Sequence, residues 1–254
     1  MAEQYPEHFV RRLEILWGDG FMSPGGAGEV HEALLGIDIR GKRILDFGCG
    51  IGGPSFVLAA SGAAEVIGID IEPQLVARAT VSAGRLGLGN VSFQCVEPGP
   101  LGFADQSFDM VFSKEALLHI PDKEAIFRDF ARLLRRGGMF AGSDWLASEN
   151  CRDVPEWLAY RSLARYSINP VTAAQCLAAM EKAGFVQVSS RDRNAWYADV
   201  AQRDLARIAG DLRASLIAAA GPDIYEDWLT MRRAQTAAVV AGAHRPTHLR
   251  GVKP

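Results

Sequence analysis

Cysteine is scarce in this sequence, with four copies among 254 residues. The four lie far apart and form neither a C-x-x-C pair nor a dense cluster, a pattern that indicates neither a zinc site nor a disulfide scaffold. We therefore predict reduced thiols and no bound metal.

Long apolar runs are also absent. The amino terminus has no basic segment followed by an apolar one. The longest apolar stretches are interrupted well before the roughly 18 residues that a membrane-spanning helix needs. We expect a cytoplasmic protein without a membrane segment.

No charge of one sign dominates the chain. Lys and Arg number 27 and Asp and Glu number 30, which gives a formal net charge of −3. A protein with this balance has no strong basic field to collect nucleic acid, so we predict no nucleic-acid partner. A local site for a small anion stays open.

The composition is that of a globular protein with a buried core. Apolar residues make up 48% and charged residues 22% of the chain, which excludes disorder and coiled coil. The length suits one domain and is too short for two full catalytic domains. We expect a single domain, 1–254, with the oligomeric state open.

Glycine is the residue in excess, and its 26 copies cluster at 18–28 and at 48–53. The first cluster is too rich in glycine for regular structure. The second follows a short β-rich segment and precedes an apolar helical one. Its position predicts a turn that joins a strand to a helix.

Strand and helix patterns alternate along the first 145 or so residues. This alternation predicts a doubly wound α/β sheet, because parallel strands need crossover connections. We predict a helical segment at 196–243, two helices within 154–184, and a final edge strand that could run antiparallel at 246–252. The predicted seven-stranded sheet has its other strands at 43–47, 66–71, 91–96, 108–113, 139–144 and 185–190.

The second glycine cluster carries a ligand signature. The run Ile-Leu-Asp-Phe-Gly-Cys-Gly-Ile-Gly-Gly begins at Ile44 and places glycines where a backbone can approach a ligand closely. Asp70 ends the next predicted strand, about 20 residues after Gly48, a spacing at which a carboxylate reaches the hydroxyls of a ribose. The pattern predicts a nucleotide-like ligand.

Two cofactors fit this signature. Gly48, Gly50 and Gly53 satisfy G-x-G-x-x-G, which suits NAD in an oxidoreductase. Asp46 favours the other cofactor, because a carboxylate beside the loop repels a pyrophosphate and attracts an ammonium group. S-adenosylmethionine carries an ammonium and a sulfonium and has no phosphate. We favour it, and keep NAD as the alternative.

The D-x-G-x-G-x-G segment with its downstream Asp70 resembles the first two motifs of class I S-adenosylmethionine-dependent methyltransferases. The resemblance implies a Rossmann-like methyltransferase sheet and a polar contact to adenine after the third strand. The cofactor-binding residues that it implies are Met22, Ser23, Asp46, Gly48, Cys49, Gly50, Asp70, Ile71, Glu97, Pro98, Ser113 and Lys114.

Segments outside these motifs resemble the phosphoethanolamine (phosphobase) N-methyltransferases. Gln4-Tyr5, followed by the glycine-rich run 17–26, is similar to that family's amino-terminal lid. The stretch 113–119 and the run Ser-Asp-Trp at 143–145 are similar to its segments after strands four and five. The resemblance implies a lid at 1–30, a cofactor-binding core at 31–150, and helical cap segments at 151–184 and 196–243.

The same resemblance implies a catalytic pair, Tyr5 and His119. Methyl transfer to an amine requires a free lone pair, so a base must take the proton of the ammonium group, and a histidine can do so near neutral pH. The lid tyrosine completes the pair on closure. The implied substrate-binding residues are Gln4, Tyr5, Glu115, His119, Trp145 and Tyr166.

The sequence departs from this family at the site for the substrate's phosphate. The family has an Arg-x-Tyr arrangement, whereas Ala164 stands two residues before Tyr166 here. Arg161 and Arg165 are nearby, and Arg232 or Arg233 could replace a family lysine in the last helix. The acceptor is therefore a phosphoethanolamine-like amine or, alternatively, another small molecule such as an amino acid, thioether or thiol.

Overall fold

The computed structural model describes residues 5–164 and 168–254. Its centre is a seven-stranded sheet with the strand order β3-β2-β1-β4-β5-β7-β6. The first five strands are parallel, and β7 runs antiparallel to both of its neighbours. The strands are β1 Arg43–Phe47, β2 Glu65–Asp70, β3 Val91–Cys95, β4 Phe108–Lys114, β5 Leu134–Ala147, β6 Val186–Asp192 and β7 His244–Val252.

Helices cover both faces of the sheet and the carboxyl ends of its parallel strands. Central strands β1, β2 and β4 are buried on both faces, which explains their nearly continuous apolar sequences. The helices are α1 Glu7–Trp17, α2 Gly26–Ala33, α3 Gly53–Ala60, α4 Pro73–Leu86, α5 Lys123–Leu133, α6 Pro155–Leu163, α7 Ala173–Lys182, α8 Asn194–Ala209, α9 Arg213–Ala220 and α10 Pro222–Val240. The predicted doubly wound α/β fold is confirmed.

Three local predictions were wrong. The segment 246–252 is not an edge strand, because β7 pairs along nine residues with β5 and leaves β6 at the edge. The first glycine cluster is partly regular, since α2 begins at Gly26 after a left-handed Gly25. Strand β5 begins at Leu134, before the predicted start, because residues 135–138 form an irregularity within it.

A helical layer lies over the carboxyl ends of the strands. Buried side chains of α1, α8, α9 and α10 form one apolar cluster around Trp228. Helix α6 packs with α8 and α10 around Trp145. The segment 151–184 divides between two locations, because α7 packs instead against α5 and the sheet. No helix within the described residues is long and apolar enough to cross a membrane.

Candidate active site

A cavity of about 260 Å³ lies between the helical layer and the carboxyl ends of β1, β2 and β4. In a doubly wound sheet this position, where the strand order reverses between β1 and β4, is the usual place for a ligand. The loops after these strands form the floor of the cavity, and α1 and α10 form its roof.

The glycine loop after β1 is held tightly against its neighbours. The backbone N–H groups of Gly48 and Cys49 both donate to the carbonyl of Ile69, at 2.9 Å. Gly48 has a φ of 70°, and a Cβ there would come within 2.2 Å of the Ala116 Cβ. Only glycine fits this turn, because any side chain would push the loop away from β4.

The two glycine clusters meet in space. The N–H of Gly53, at the start of α3, donates to the carbonyl of Gly20 at 2.9 Å. A Cβ on Gly53 would lie 2.3 Å from that carbonyl oxygen. The amino-terminal loop can therefore lie directly over the glycine loop, and its Met22 and Ser23 line the cavity.

Asp70 lies at the edge of the cavity, at the end of β2. One carboxylate oxygen accepts from the N–H of Gly50 at 2.9 Å, and the other accepts from the N–H of Glu72 at 3.0 Å. Burial raises the pKa of Asp70 above its ordinary value. These backbone bonds fix the carboxylate beside the glycine loop.

Asp46 does not contact the cavity, contrary to our prediction. Its side chain is fully buried on the face of β1 that packs against α3, where Oδ2 accepts from the hydroxyl of Ser55 at 2.5 Å. Side chains alternate along a strand, so Phe47 lines the cavity and Asp46 faces away from it. Burial raises the pKa of Asp46 to about 7.

Three further predicted cofactor contacts lie outside the cavity lining. Ser113 is fully buried and donates its hydroxyl to the carbonyl of Phe47 at 3.0 Å, so it joins β4 to β1. Glu97 and Pro98 are exposed, because the chain turns away from the cavity after Val96. Val96 itself lines the cavity.

Lys114 holds the amino-terminal loop over the site. The buried Nζ donates to the hydroxyl of Ser23 and to the carbonyl of Pro24, the latter at 3.0 Å. Helix α1 is fixed in turn by Arg78 of α4, which forms ion pairs with Glu7 and Glu14. The amino-terminal loop is thus attached to the sheet, and α1 to α4, by charged groups.

Tyr5 and His119 meet at the cavity, although 114 positions separate them in the chain. The tyrosine hydroxyl lies 3.3 Å from Nε2 of the histidine. His119 ends a short 3-10 turn, Leu117–His119, that follows β4. The predicted pair is therefore within hydrogen-bonding distance, and both residues line the cavity.

Glu115 and Trp145 form a second polar contact in the cavity wall. Glu115 adopts a left-handed backbone with a φ of 58°, and its carboxylate accepts from the indole N–H of Trp145 at 2.6 Å. Its other oxygen lies 3.3 Å from Nζ of Lys114. Trp145 stacks on His244, with ring centroids 4.2 Å apart.

A match to known proteins places this site in a family. Residues 39–197 match the sequence model of a protein family that is described as "methyltransferase domain". This range contains the strands and loops of the cavity floor. The chain belongs to the methyltransferase-domain family. The prediction of a methyltransferase is confirmed at this level.

Curated methyltransferases resemble the chain along most of its length. It is 33% identical to a phosphoethanolamine N-methyltransferase of Triticum aestivum over 95% of this chain and 47% of the relative. It is 30% identical to phosphoethanolamine N-methyltransferase 3 of Arabidopsis thaliana over 88% of this chain and 45% of that relative. The chain spans about half the length of these relatives.

Solved structures of other proteins share the fold. Phosphoethanolamine N-methyltransferase 2 of Haemonchus contortus, in complex with phosphomonomethylethanolamine and S-adenosylhomocysteine, superposes with a TM-score of 0.88 at 23% identity. The match covers 100% of this chain and 59% of that one. The cyclopropane synthase MmaA2 of Mycobacterium tuberculosis superposes with a TM-score of 0.78 at 16% identity, over 93% of this chain and 87% of that one.

The structure brings most of the predicted site residues of this methyltransferase to one cavity. Gln4 and Tyr166 lie outside the described residues. The predicted residues that line the cavity are Tyr5, Met22, Ser23, Gly48, Cys49, Gly50, Asp70, Ile71, Lys114, Glu115, His119 and Trp145.

Most of the contribution of α10 to the cavity is not among the predicted site residues. Trp228, Met231, Arg232 and Gln235 project from one side of this helix into the cavity. Their spacing of three and four residues is the signal that could have found them, because polar and aromatic residues at helical spacing share a face. Trp17 of α1 also lines the cavity.

Arg232 is the buried cation of the cavity roof. Its guanidinium donates to the Gln235 side chain at 2.5 Å and to the Tyr197 hydroxyl at 3.3 Å. It also lies 5.3 Å from the ring centroid of Trp17. An arginine in this position can bind an anionic group of a ligand in the cavity.

Proposed function

We propose that this methyltransferase transfers the methyl group of S-adenosylmethionine to the amine nitrogen of a small phosphobase, of the phosphoethanolamine type. The observation that carries the proposal is the contact between Tyr5 and His119, at 3.3 Å, in the same cavity as the glycine loop and Asp70. The phosphoethanolamine N-methyltransferases related to the chain support it.

The cavity floor fits S-adenosylmethionine. The fixed carboxylate of Asp70 is suited to accept hydrogen bonds from the two ribose hydroxyls. Ile71 and Val96 provide apolar walls for an adenine, and the glycine loop leaves room for the amino-acid part. When bound, the cofactor supplies an electrophilic methyl group on a sulfonium.

The residues of the chain then have to prepare the acceptor. His119 takes a proton from the substrate ammonium, and the Tyr5 hydroxyl orients the imidazole through its contact with Nε2. Glu115 provides a carboxylate beside the pair that favours a cationic head group. The lid and α10 exclude water and hold the nitrogen in line with the methyl group.

Arg232 is our candidate for the phosphate contact. It lies in the cavity roof, and it is one of two arginines, with Arg233, that could stand in for a lysine in the last helix of the resembling family. Lys114, another buried cation of the cavity lining, instead holds the amino-terminal loop through Ser23 and Pro24 and lies beside Glu115. An anion bound by Arg232 would anchor the acceptor opposite the cofactor.

A second candidate function is methyl transfer to another small acceptor, such as an amino acid, thioether or thiol. Ala164 favours it, because it stands where the resembling family has an arginine. With a thioether no base is required, and His119 would only position the substrate. The NAD alternative has no comparable support, since the family model that matches is that of a methyltransferase domain.

An assay with labelled S-adenosylmethionine tests the substrate. The panel contains phosphoethanolamine, its monomethyl and dimethyl forms, glycine, methionine and small thiols. We expect methylation of at least one phosphobase. Failure with every phosphobase, together with turnover of another acceptor, would show that the substrate is not a phosphobase. The reaction would still be methyl transfer from S-adenosylmethionine.

Variants of the pair test the mechanism on the accepted substrate. We expect His119→Gln to lower kcat by about 10² to 10⁴, the usual contribution of a general base. Tyr5→Phe should lower kcat less, because it removes only the orienting hydroxyl. Calorimetry should show unchanged affinity for S-adenosylhomocysteine in both variants. His31→Gln, an exposed change on α2, is the control, and normal turnover in His119→Gln would contradict the assignment.

A further inference from the structure

A second cavity, of about 150 Å³, lies at the β6 edge of the sheet, beside the carboxyl end of α2. None of its residues lines the cavity of the candidate active site, which we call the methyl-transfer cavity. Unlike that cavity, it is lined mainly by polar and basic side chains. The lining residues are Leu35, Ser189, Ser190, Arg191, His248 and Arg250.

Strand pairing explains why these side chains converge. Strands β6 and β7 are antiparallel, and their register pairs Ser189 with Arg250 and Arg191 with His248. Directly paired residues lie on the same face of a sheet, as do residues two apart along a strand. Two guanidinium groups, an imidazole and a hydroxyl therefore share one face.

Both arginines also hold the end of α2. Nη2 of Arg250 donates to the carbonyl of Ala33 at 2.8 Å. Nη2 of Arg191 lies 2.9 Å from the carbonyl of Glu32 and 2.9 Å from its carboxylate. Within residues 5–164 and 168–254, the other guanidinium nitrogens of both arginines make no hydrogen bond to protein. Helix capping thus uses only part of the donors that each guanidinium carries.

The charges around the cavity are not fully balanced. Of the nearby carboxylates, Glu29 pairs with Arg193 at 2.8 Å and also lies 2.6 Å from Nε2 of His248, a residue of the cavity lining. Glu32 pairs with Arg191 at 2.9 Å. Arg250 has no carboxylate partner within the described part of the chain. Its pKa is lowered by burial and by the positive charge of Arg191. A bound anion would relieve this repulsion.

We propose that this β6–β7 cavity is a binding site for a small phosphate-type oxyanion, either inorganic phosphate or a phosphomonoester. Planar guanidinium groups and hydroxyls are the side chains that recognise such oxyanions through several hydrogen bonds at once. The cavity volume suits a single small oxyanion. The site is separate from the proposed catalytic chemistry.

Calorimetric titration of inorganic phosphate into the protein tests the site, with S-adenosylhomocysteine saturating and sodium chloride matched for ionic strength. We expect Arg250→Gln to weaken phosphate binding by about tenfold or more, or about 1.4 kcal/mol. Arg245→Gln is the matched control, because Arg245 lies on the same strand and pairs with Asp192 outside the cavity. It should bind phosphate as the unchanged protein does.

A second variant tests the cavity without changing the contacts that hold the end of α2. Ser189 is exposed, so Ser189→Asp keeps both helix-capping arginines and adds a carboxylate to the cavity. We expect it to abolish phosphate binding without lowering the melting temperature. Unchanged binding in Ser189→Asp, or no binding by the unchanged protein, would overturn the proposal.

The titration also separates the two cavities and the two ligand sources. Phosphate binding that is lost in Arg232→Met and retained in Arg250→Gln would assign the anion to the methyl-transfer cavity and overturn the proposal. Replacing phosphate by glycerol phosphate distinguishes the sources. Tighter binding of the ester identifies a phosphomonoester as the ligand, and tighter binding of the free ion identifies inorganic phosphate.

Discussion

Asp46 lies at the end of β1 with its side chain enclosed by protein. Ser55 donates to one carboxylate oxygen, and the other oxygen has no hydrogen-bond partner among the described residues. Burial is the main reason that its pKa rises to about 7 from the ordinary 3.8, and the charge of Asp70 adds to the effect. The residue therefore couples the stability of the glycine-loop region to pH.

We predict the sign of this coupling from the raised pKa. Between about pH 4 and pH 7 the native carboxyl holds a proton that the unfolded chain has lost, so its contribution to stability falls as the pH rises through this window. Relative to Asp46→Asn, the unfolding free energy of the unchanged protein should fall by up to about 4 kcal/mol, at about 1.4 kcal/mol per pKa unit. Urea unfolding at pH 4.5 and pH 8 measures this difference, and parallel curves would contradict it.

Substitution of Gly48 tests whether close packing of the glycine loop is needed for cofactor binding. A Cβ would meet that of Ala116 at 2.2 Å, so we predict that Gly48→Ala displaces the loop and weakens binding of S-adenosylhomocysteine by at least tenfold, or about 1.4 kcal/mol. Gly87→Ala is the matched control. Gly87 has a similar φ of 66°, but its added Cβ would meet no atom of the described residues within 4 Å beyond its own helix and chain neighbours. Equal binding losses in calorimetry of the two variants would show that backbone strain, and not the clash, is responsible.

The turn that carries His119 is fixed by elements that follow it in the chain. Lys123, at the start of α5, donates Nζ to the carbonyls of Leu117 and Ile120 at 2.6 and 2.5 Å. Asn169 closes the turn from the other side, because its backbone N–H donates to the carbonyl of Leu118 at 2.7 Å. The turn thus depends on a buried ammonium group as well as on the segment after α6.

Removing that ammonium group should loosen the site. We predict that Lys123→Met lowers the unfolding free energy by about 1 to 3 kcal/mol, because it leaves buried carbonyls without a donor. It should also lower kcat, since His119 lies within the turn, while the affinity for S-adenosylhomocysteine is unchanged. Urea unfolding and turnover measurements check both effects. Lys182→Met, which changes an exposed lysine of α7, serves as the control, and full activity in Lys123→Met would contradict the positioning role.

Across the whole molecule, the cavity is assembled from parts that are distant in the chain. The amino-terminal loop and α1 close it from one side, α10 closes it from another, and the loops after β1, β2 and β4 form its floor. Ion pairs of Arg78 join α1 to α4, and the bonds of Lys114 join the amino-terminal loop to β4. Ligand binding at the floor of the cavity should therefore stabilise the amino-terminal loop and α1.

Hydrogen exchange measures this coupling. We predict that S-adenosylhomocysteine slows amide exchange in the glycine loop, 48–53, and also in the amino-terminal segment 7–25, because both enclose the same cavity. Peptides from β6 are the internal control, since this strand lies at the edge of the sheet and outside the cavity lining. Slower exchange confined to 48–53 would show that the cofactor does not stabilise the amino-terminal segment.

The sequence by itself determined the α/β class of the sheet, the position of the glycine loop after β1 and the position of Asp70 at the end of β2. Its resemblance to a known family also led to the pairing of Tyr5 with His119. These follow from local signals, since strand periodicity, glycine spacing and short motifs are written in neighbouring residues. The positions of Asp46 and of β7 were decided only by the tertiary structure. So was the entry of the α10 face into the cavity. The direction of a side chain, the neighbour of a strand and the cavity that a helix faces depend on packing between distant segments, which no local pattern specifies.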